Sequence, residues 1–333
     1  MSVLLTGSIA NDYLMVFPGR FREQLVDDQL DNVSLSFLVD GLDIYRGGTG
    51  ANIAFGLGQL GLRPVLVGAV GSDFGDYRSW LEANNVDTSH VRVSKHLHTA
   101  RFICTTDADH NQIASFYAGA MTEAADIDLA KILPRAEGVW MAVICPDNPA
   151  AMIRHTRVCR DRSLTFAADP SQQLARMDGD DIRELVNGAS FLFTNEYERD
   201  LLTQKTGWSQ REVLDRVGAW VTTLGPNGAT IERSDGFAVV VPAAPELRKV
   251  DPTGVGDAFR SGFLAGLTWR LDLERAGQLG CALASLVIET AGTQEYTFAP
   301  DAFLERFAAA YGEAAGAEIE PFLSPAPTQV PAI

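Results

Sequence analysis

Cysteine and histidine are scarce in this chain, which has four cysteines and five histidines among its 333 residues. No two cysteines have the close spacing of a zinc site or of a redox pair, and the histidines form no helical metal-binding pattern. His96 and His98 are close in sequence, but we interpret them as surface histidines. We expect reduced, mostly buried thiols, as in a cytosolic protein. These thiols belong to Cys104, Cys145, Cys159 and Cys281.

Basic residues are also few, because 27 lysines and arginines stand against 43 aspartates and glutamates, a formal net charge of −16. That charge argues against binding to nucleic acid or to an anionic membrane, since both need a basic face. Apolar runs such as residues 138–145 are far too short to span a bilayer, and residues 1–5 lack the positive start of a targeting segment. We expect a soluble, cytoplasmic protein that captures any polyanionic ligand through local donors.

Two common nucleotide-binding patterns are missing. No phosphate loop ends in Gly-Lys-Ser or Gly-Lys-Thr. Residues 56–61 have the Gly-x-Gly-x-x-Gly spacing of a dinucleotide fingerprint, but they end a helical pattern instead of following a strand and opening a helix. We interpret this segment as a closely packed helix that stops at Gly61.

Short apolar runs alternate with amphipathic stretches along most of the chain. This alternation predicts an α/β protein with a central, mostly parallel sheet and helices on both faces. In such a sheet, ligands bind beyond the carboxyl ends of the strands. Strands are predicted at 3–7, 64–68, 138–144, 164–168, 191–194, 220–224 and 237–242, and helices at 50–60, 75–84, 149–161, 196–206 and 257–269.

Two segments depart from this alternation. Residues 34–39 alternate apolar and polar side chains, which predicts a strand, and residues 99–105 and 112–117 flank a polar turn, which predicts a hairpin. Both indicate a small β-sheet lid set apart from the main sheet. We therefore predict a main domain of residues 1–9, 47–94 and 119–320, a discontinuous lid of residues 10–46 and 95–118, and a disordered tail of residues 323–333.

The most informative motif lies within residues 250–259. Gly254 and Gly256 are followed at once by Asp257, where a helical pattern begins. Glycines allow close backbone approach, and the N–H groups at a helix N-terminus bind anions. A carboxylate beside a bound phosphate is a candidate base, so the motif indicates phosphoryl transfer to a hydroxyl. The same residues also fit an ordinary turn followed by an N-cap aspartate.

A second glycine cluster, residues 46–52, opens a helical pattern near the amino end. Asn52 offers both a donor and an acceptor, while Ser8 and Asp12 follow the first predicted strand. Side chains of these types can bind the hydroxyls of a polyol. A tight strand-to-helix turn capped by an asparagine is the structural alternative.

Two further motifs follow predicted strands. Asn195 and Glu198 can hold the water shell of a Mg²⁺ ion, which needs few protein ligands, or can simply begin a helix with acids in its first turn. Thr223, Gly225 and Gly228 can wrap the ribose and phosphates of a nucleotide, or can form a routine turn.

Taken in chain order, the four motifs resemble those of the ribokinase-like carbohydrate kinase family. Gly47-Gly48-x-x-x-Asn52 is similar to its amino-terminal signature, Asn195-x-x-Glu198 to its magnesium motif and Thr223-x-Gly225-x-x-Gly228 to its nucleotide loop. Residues 251–257 are similar to its Asp-Thr-x-Gly-Ala-Gly-Asp signature, with Pro252 and Val255 in place of the usual Thr and Ala. The resemblance covers about residues 1–315.

Within that family, the chain resembles the adenosine kinases of the actinobacterial type, through residues 6–10, 33–40, 169–176, 194–202 and 251–263. This resemblance implies transfer of the ATP γ-phosphoryl group to the 5′-hydroxyl of adenosine, giving AMP and ADP in purine salvage. It also implies Mg²⁺ held through water, a K⁺ site beside the anion loop, and a homodimer formed through the lid.

The resemblance also assigns residues to roles. Asp257 would be the base, and the N–H groups of Gly254, Val255 and Gly256 would form the anion hole. The aromatic rings of Phe102 and Phe116 would stack on adenine. The full substrate set would be Ser8, Asp12, Ser36, Gly48, Asn52, Phe102, Phe116, Gln172, Gln173 and Arg176, with both glutamines at the edge of the base. Asn195, Thr223, Gly225 and Gly228 would bind ATP, Asn195 and Glu198 would hold Mg²⁺ through water, and Asp251 would bind K⁺.

Three alternatives stay open. A kinase of a free sugar, such as ribose or a ketohexose, would tolerate loss of the Phe116 ring. A non-catalytic nucleoside sensor with the same fold would have no need to keep Gly254, Gly256, Asp257 and Glu198 together. A structural dimer module would pair the edges of the lid sheets. In that module the two rings would serve packing.

Overall fold

The computed structural model describes residues 1–24 and 36–323. Its strands, numbered along the chain, are β1 (Ser2–Thr6), β2 (Ala10–Val16), β3 (Gly41–Gly47), β4 (Val65–Val67), β5 (Ala69–Val70), β6 (Arg92–Val93), β7 (Ala100–Thr106), β8 (Gln112–Tyr117), β9 (Val139–Ile144), β10 (Thr165–Ala168), β11 (Phe191–Asn195), β12 (Ala219–Thr223), β13 (Ala229–Glu232) and β14 (Ala238–Val241). Its α-helices are α1 (Phe21–Gln24), α2 (Thr49–Gln59), α3 (Gly75–Ala83), α4 (Leu129–Ile132), α5 (Pro149–Asp161), α6 (Gly179–Val186), α7 (Glu196–Thr206), α8 (Gln210–Leu214), α9 (Val255–Thr268), α10 (Leu273–Val287), α11 (Pro300–Tyr311) and α12 (Glu313–Leu323).

The larger sheet of the described chain has eight strands in the order β14-β13-β12-β11-β10-β9-β1-β4. Neighbours from β4 to β12 pair in parallel, and β12, β13 and β14 pair antiparallel at one edge. The predicted α/β fold with a mostly parallel sheet is therefore confirmed. The seven strands and five helices predicted from the alternation are present within a few residues of their expected ends. β13 of this sheet was not predicted, and neither were helices outside those five, such as α10, α11 and α12.

Alternate side chains of this sheet enter two apolar cores, one on each face. In β1, Val3 and Leu5 enter the core that also holds residues of α2, α9 and α10. Leu4 between them enters the core that holds residues of α5 and α6. Because helices cover both faces, the central strands are apolar on both sides, which is why they read as continuous apolar runs. The carboxyl ends of the parallel strands are left to carry polar groups.

A separate four-stranded sheet, which we call the lid sheet, has the order β3-β2-β7-β8. Strands β7 and β8 form the predicted hairpin, and β2 pairs antiparallel with β3 and in parallel with β7. Asp12 lies opposite Phe102, which in turn lies opposite Phe116. Since residues directly opposite one another share a face, these three side chains lie on the same face of the lid sheet.

The strand predicted at 34–39 is wrong over its described part. Residues 36–39 have no regular structure, residues 34 and 35 lie outside the described residues, and the strand of this region is β3, which begins at Gly41. The ring of Phe37 lies 4.7 Å from that of Phe17 and 5.3 Å from that of Phe21. The apolar side chain that suggested strand alternation therefore packs in an aromatic cluster.

The predicted tail needs one correction. Leu323 ends α12 and is buried against the apolar core, so residue 323 belongs to the folded chain. Residues 324–333 lie outside the described residues. All four cysteines are free and buried, as the sequence predicts. Within residues 1–24 and 36–323, no helix combines the length and the apolar character that crossing a bilayer requires.

Candidate active site

The site is organised around the loop that precedes α9. Gly254 is the N-cap of this helix and has a φ of 76°, in the left-handed region that favours glycine. A Cβ atom there would stand 2.8 Å from the Cγ2 atom of Thr293, so the loop also packs too closely for any other residue. Among the described residues, the N–H groups of Gly254 and Gly256 find no acceptor, and that of Val255 makes one long bond of 3.4 Å to the Pro252 carbonyl. Unsatisfied donors at a helix N-terminus attract an anion.

Two cavities lie on either side of this loop. The first, of about 460 Å³, is lined by Thr253, Gly254 and Asp257 of the loop. The second, of about 430 Å³, is lined by Pro252, Val255 and Gly256. The loop is therefore shared between two ligand-sized spaces, and the unpaired N–H groups stand at their junction.

The first cavity collects most of the residues that the sequence suggests for the acceptor. The lid sheet supplies one wall and the carboxyl edge of the main sheet supplies the other, so lid and main-sheet residues meet there. The predicted residues that line this cavity are Ser8, Asp12, Gly48, Asn52, Phe102, Phe116, Gln172, Gln173, Arg176, Gly254 and Asp257. Ala10, Thr49, Met121, Pro146 and Thr293 also line it and were not predicted.

The second cavity collects the residues predicted for the nucleotide. The predicted residues that line it are Asn195, Thr223, Gly225, Gly228, Val255 and Gly256. It is also lined by residues of α10 and by residues 243–249, including Glu246 and Lys249, which the sequence did not suggest. No local pattern marks the α10 residues, because α10 reaches the cavity through its packing against α9.

Asp257 lies in the first turn of α9 at the wall of the first cavity. Its Oδ2 atom accepts a 2.8 Å hydrogen bond from Nδ2 of Asn52. Burial raises the pKa of the Asp257 carboxyl from 3.8 to about 6, opposed by the charge of Arg260 and by the Asn52 hydrogen bond, while the Glu198 carboxylate adds to the rise. A carboxyl with this pKa is ionised near pH 7 and is still basic enough to accept a proton in a reaction.

Asp12 is a second carboxyl with a raised pKa in this cavity. Burial, together with the carboxylates of Asp251 and Asp257, raises the pKa of Asp12 to about 6. Like-charged carboxylates close to one another disfavour each other's ionisation. Ligand hydroxyl groups that donate hydrogen bonds to Asp12 would therefore relieve an unfavourable charge.

The glycine turn before α2 holds Asn52 in place. Gly48 has a φ of 93°, and a Cβ atom there would come within 2.6 Å of the Ser8 carbonyl oxygen. The Thr49 N–H donates a 3.0 Å hydrogen bond to the Ser8 hydroxyl, which serves the helix N-terminus in place of a side-chain cap from Gly48. This close approach brings α2 against the end of β1 and directs Asn52 toward Asp257.

Asn195 and Glu198 form a capping box at the start of α7. The Asn195 side chain accepts the Glu198 N–H at 2.8 Å, and Oε2 of Glu198 accepts the Asn195 N–H at 2.8 Å. The second carboxylate oxygen of Glu198 is left for water. No group of three or more histidine, cysteine or acidic side chains in the described chain is arranged to hold a metal ion directly. This pair therefore suits a hydrated ion bound mainly by phosphates.

Three predicted site residues line neither cavity, namely Glu198, Ser36 and Asp251. Ser36 is exposed and lines neither of them. Asp251 accepts the N–H of Thr253 at 2.9 Å and the N–H of Gly292 at 3.1 Å. It therefore links the loop that precedes α9 to residues 289–296. The structure thus brings Asp251 beside residues 289–296 and does not bring Ser36 to the acceptor cavity.

An ion pair that sequence reasoning missed lies behind the loop. Nη2 of Arg260 donates a 2.7 Å hydrogen bond to Asp169, their Nε and Oδ2 atoms are 2.6 Å apart without hydrogen-bond geometry, and Nη1 donates to the Gly256 carbonyl at 3.0 Å. Although burial disfavours the charged form, the carboxylates of Asp169, Glu198 and Asp257 hold the pKa of Arg260 above its ordinary value. A lone arginine within the apolar run of α9 was the signal, since buried charges are paired.

The chain is similar to known kinases in sequence. The family model described as pfkB family carbohydrate kinase matches residues 19–300. The nucleoside kinase of Methanothermobacter thermautotrophicus is 30% identical over 316 residues, which cover 93% of this chain and 96% of that protein.

The chain is also similar to solved structures. The Burkholderia thailandensis nucleoside kinase in complex with inosine is 36% identical, with a TM-score of 0.82 over 93% of this chain and 98% of that chain. The same kinase in complex with ADP-inosine gives a TM-score of 0.80 at 36% identity, over 93% of this chain and 96% of that chain.

Proposed function

This chain belongs to the pfkB family of carbohydrate kinases and is an ATP-dependent nucleoside kinase, and we propose that its acceptor is adenosine, which it converts to AMP. One structural relationship supports the proposal above all. The loop of residues 252–257 separates two cavities and lines both of them. A nucleoside in the first cavity and ATP in the second would meet at this loop, where the γ-phosphoryl group would pass to the 5′-hydroxyl.

Asp257 is the base in this proposal. Its carboxylate faces the acceptor cavity, and its raised pKa suits proton transfer near neutral pH. It accepts the proton of the 5′-hydroxyl as that oxygen forms its bond to phosphorus and the bond to the ADP oxygen breaks. The released proton resides on the Asp257 carboxyl until it passes to solvent.

The N–H groups of Gly254, Val255 and Gly256 form the anion hole. Two of them find no acceptor within the described chain, and the third makes only one long bond, so all three are available to phosphoryl oxygens. Donors that are already in place at a helix N-terminus stabilise the charge of the transition state without having to reorganise. Closure of the lid sheet would exclude the water that could otherwise hydrolyse ATP.

Asn195 and Glu198 would hold Mg²⁺ through water. When bound, Mg²⁺ neutralises charge on the ATP phosphates. The capping box leaves one oxygen of the Glu198 carboxylate uncommitted, and the Asn195 side chain lines the nucleotide cavity. Asp251 is the proposed K⁺ site. Activity that is unchanged when tetramethylammonium replaces K⁺ would contradict that assignment.

The nucleobase of the acceptor is bound at the end of the first cavity that lies away from Asp257. Phe102 and Phe116 lie opposite each other on one face of the lid sheet, and aromatic stacking on a base contributes ~1–3 kcal/mol per base. The Oε1 atom of Gln173 is buried without a hydrogen-bond partner and lines the same cavity. A buried acceptor of this kind needs a donor, and the 6-amino group of adenine can supply one. Gln172 and Arg176 complete this end of the cavity.

A homodimer formed through the lid sheet is also part of the proposal. The side chains of Leu42, Ile44, Ile113 and Tyr117 lie on the face opposite Phe102 and are between 42% and 56% exposed. Exposed apolar side chains on both edge strands of one face of a small sheet suit contact with a second copy. Ile44→Asp should then yield a monomer in analytical ultracentrifugation, whereas a wild-type monomer would contradict the dimer. We propose that the enzyme acts in the cytoplasm, which suits its four free thiols.

The deciding experiment is a coupled kinase assay with ATP and Mg²⁺ that compares adenosine, inosine, ribose and fructose at equal concentration. Turnover that is fastest with adenosine supports the proposal and the role of Gln173. Faster turnover with inosine would keep the nucleoside site and contradict the adenosine assignment. Turnover of a free sugar alone would keep Asp257 as the catalytic base and would mean that Phe102 and Phe116 serve packing instead of base stacking.

A further inference from the structure

A chain of hydrogen bonds between side chains leads from helix α3 to Asp257, the proposed catalytic base. Nε1 of Trp80 donates to Oε1 of Gln294 at 3.2 Å, and Nε2 of Gln294 donates to Oδ1 of Asn52 at 2.9 Å. Nδ2 of Asn52 then donates to Oδ2 of Asp257 at 2.8 Å. The four residues come from α3, from residues 289–296, from α2 and from α9, so only the folded chain brings them together.

The chemistry of the first residue sets the direction of every later bond. An indole N–H can only donate, so Gln294 must turn its oxygen toward Trp80 and its nitrogen away from it. Both hydrogens of that nitrogen are used, because Nε2 also donates to the Tyr77 hydroxyl at 2.6 Å. The Tyr77 hydroxyl in turn donates to the Gly47 carbonyl at 2.9 Å. Gln294 is buried, so water cannot substitute for these partners.

Thr293 cannot set the orientation of Asn52 by itself. Its hydroxyl oxygen lies 2.8 Å from both the Arg46 carbonyl and Oδ1 of Asn52, and a hydroxyl has only one hydrogen to donate. Gln294 is the neighbour whose donor is directed at Oδ1 of Asn52 without a competing choice. The Asn52 amide therefore presents its oxygen to Gln294 and its nitrogen to Asp257.

We propose that Trp80 and Gln294 are positioning residues, which hold the Asn52 amide so that its N–H and not its oxygen faces the carboxylate that takes the substrate proton. This inference rests on the proposed role of Asp257 as the base. If Asn52 turned over, its oxygen would face the carboxylate oxygen at the same distance. Two oxygens in contact repel, and the carboxylate would favour its protonated form.

The charged groups around Asp257 make this orientation consequential. Two neighbours lower the pKa of Asp257, namely the Arg260 charge and the Asn52 hydrogen bond. Arg260 has a fixed sign, whereas the Asn52 amide reverses its effect when it rotates. The titratable groups that face Asp257 are Arg260 on its own helix, Glu198 on α7, Asp12 on the lid sheet, Asp169 after β10, and the buried Cys145 and Tyr77.

Three variants and one matched control test the proposal. Trp80→Phe removes the indole donor and keeps an aromatic ring beside Phe55, on which Trp80 stacks, and beneath the Arg46 guanidinium. Gln294→Met removes the relay without adding charge. Gln294→Glu has no N–H to give, so it should receive the Asn52 N–H and reverse that amide. Trp140→Phe is the control, because Nε1 of Trp140 donates to Thr268 far from this relay.

Two readouts are needed, and one of them does not depend on turnover. The first is the acid limb of the pH profile of kcat/KM. The second is the pH dependence of the difference in unfolding free energy between each variant and the same variant carrying Asp257→Asn, which reports the pKa of Asp257 in the unliganded protein.

Both Gln294 variants should move the acid limb upward by about one pH unit, with kcat falling more than KM rises. Trp80→Phe should shift it in the same direction by less, and Trp140→Phe should leave it in place. If the acid limb stayed in place in Trp80→Phe and in both Gln294 variants, the proposal would be overturned. A loss of activity in these variants without a shift of the acid limb would overturn it as well. A wild type without kinase activity would refute the proposed function instead, while the unfolding data would still show whether the relay sets the pKa of Asp257.

Discussion

The side-chain amide of Asn52 donates a 2.8 Å hydrogen bond to the carboxylate of Asp257, although the two residues stand 205 positions apart. This bond joins the N-terminus of α2 to the N-terminus of α9, and each of these helices begins at a glycine with a positive φ. The two glycine turns therefore form one structure in the folded chain. The first turn lines the acceptor cavity, and the second carries the N–H groups of the proposed anion hole.

Asp257→Asn should abolish most turnover and stabilise the protein. An amide cannot take the proton of the 5′-hydroxyl, so kcat should fall by about two orders of magnitude or more while nucleoside binding persists. The folded-state pKa of about 6 lies above 3.8, so ionisation of Asp257 destabilises the fold as pH rises through 6. At pH 8 the free energy of unfolding of the variant should exceed that of the wild type by roughly 1–3 kcal/mol, a range that allows for solvent access through the cavity. At pH 4 the difference should be almost nothing.

Coupled assays, calorimetric nucleoside titration and urea unfolding at both pH values measure these effects. Asp301→Asn, at an exposed acid in the first turn of α11, is the matched control. It should leave kcat and nucleoside binding unchanged and should lower stability by no more than about 1 kcal/mol. A near-normal kcat in Asp257→Asn would remove Asp257 from the role of base.

The rate should depend on pH through the ionisation of Asp257. Only the ionised carboxylate accepts a proton, so kcat/KM should rise with pH up to about 6 and level off above it. Asp12 has a pKa near the same value, so the profile is measured in Asp12→Asn as well. That variant should lose affinity for nucleoside but keep its acid limb. A limb that disappears with Asp12 would assign the ionisation to Asp12 instead.

Phe116→Ala should weaken adenosine binding without harming the fold. The ring is 49% exposed and lines the acceptor cavity, so its loss removes little core packing. Lost stacking of ~1–3 kcal/mol corresponds to an increase in KM of roughly 5- to 150-fold. Ile113→Ala is the matched control, because Ile113 lies on the same strand, is similarly exposed and faces the other way. Equal KM values for the two variants would favour a packing role for Phe116.

Asp169→Asn should destabilise the protein strongly. It leaves Arg260 without the carboxylate that pairs with it in the interior, and breaking a buried pair costs about 3–5 kcal/mol. Glu184→Gln breaks the more exposed pair with Arg157 and should cost no more than about 1 kcal/mol. Urea unfolding measures both. Similar losses for the two variants would mean that burial does not govern the Arg260 pair.

Glu198→Gln should separate the helix cap from the metal role. Glutamine still accepts the Asn195 N–H, so α7 and its thermal stability should be preserved. Loss of the carboxylate charge should raise the Mg²⁺ concentration needed for half-maximal activity by about 10- to 100-fold. Glu212→Gln changes the equivalent capping box at α8, away from both cavities, and should leave Mg²⁺ dependence unaltered. An unchanged Mg²⁺ requirement in Glu198→Gln would remove this residue from the metal site.

Much of the candidate site could be predicted because its signals are local. Gly254, Gly256 and Asp257 lie within one turn of a helix start, and the spacing of glycine and acid is visible without knowing any partner. The alternation of strands and helices then implies that such loops gather at one edge of the sheet. The lid hairpin was similarly visible, since its two strands are close in sequence.

The residues that were missed act on partners far away in the sequence. Gln294 reaches Trp80 across 214 positions and Asn52 across 242, and a single buried glutamine carries no local signature. Arg260 and Asp169 are 91 positions apart. The strand expected at 34–39 failed for the same reason, because Phe37 packs against Phe17 and Phe21.

The sequence by itself determined the fold class, the glycine turns and the acid at the start of α9, because helix starts, turns and strand alternation depend on neighbouring residues. Only the tertiary structure decided which way the Asn52 amide faces, which carboxyls share a cavity and how the loop of residues 252–257 divides two cavities. Those properties depend on the distance and direction of groups that come together only when distant segments pack.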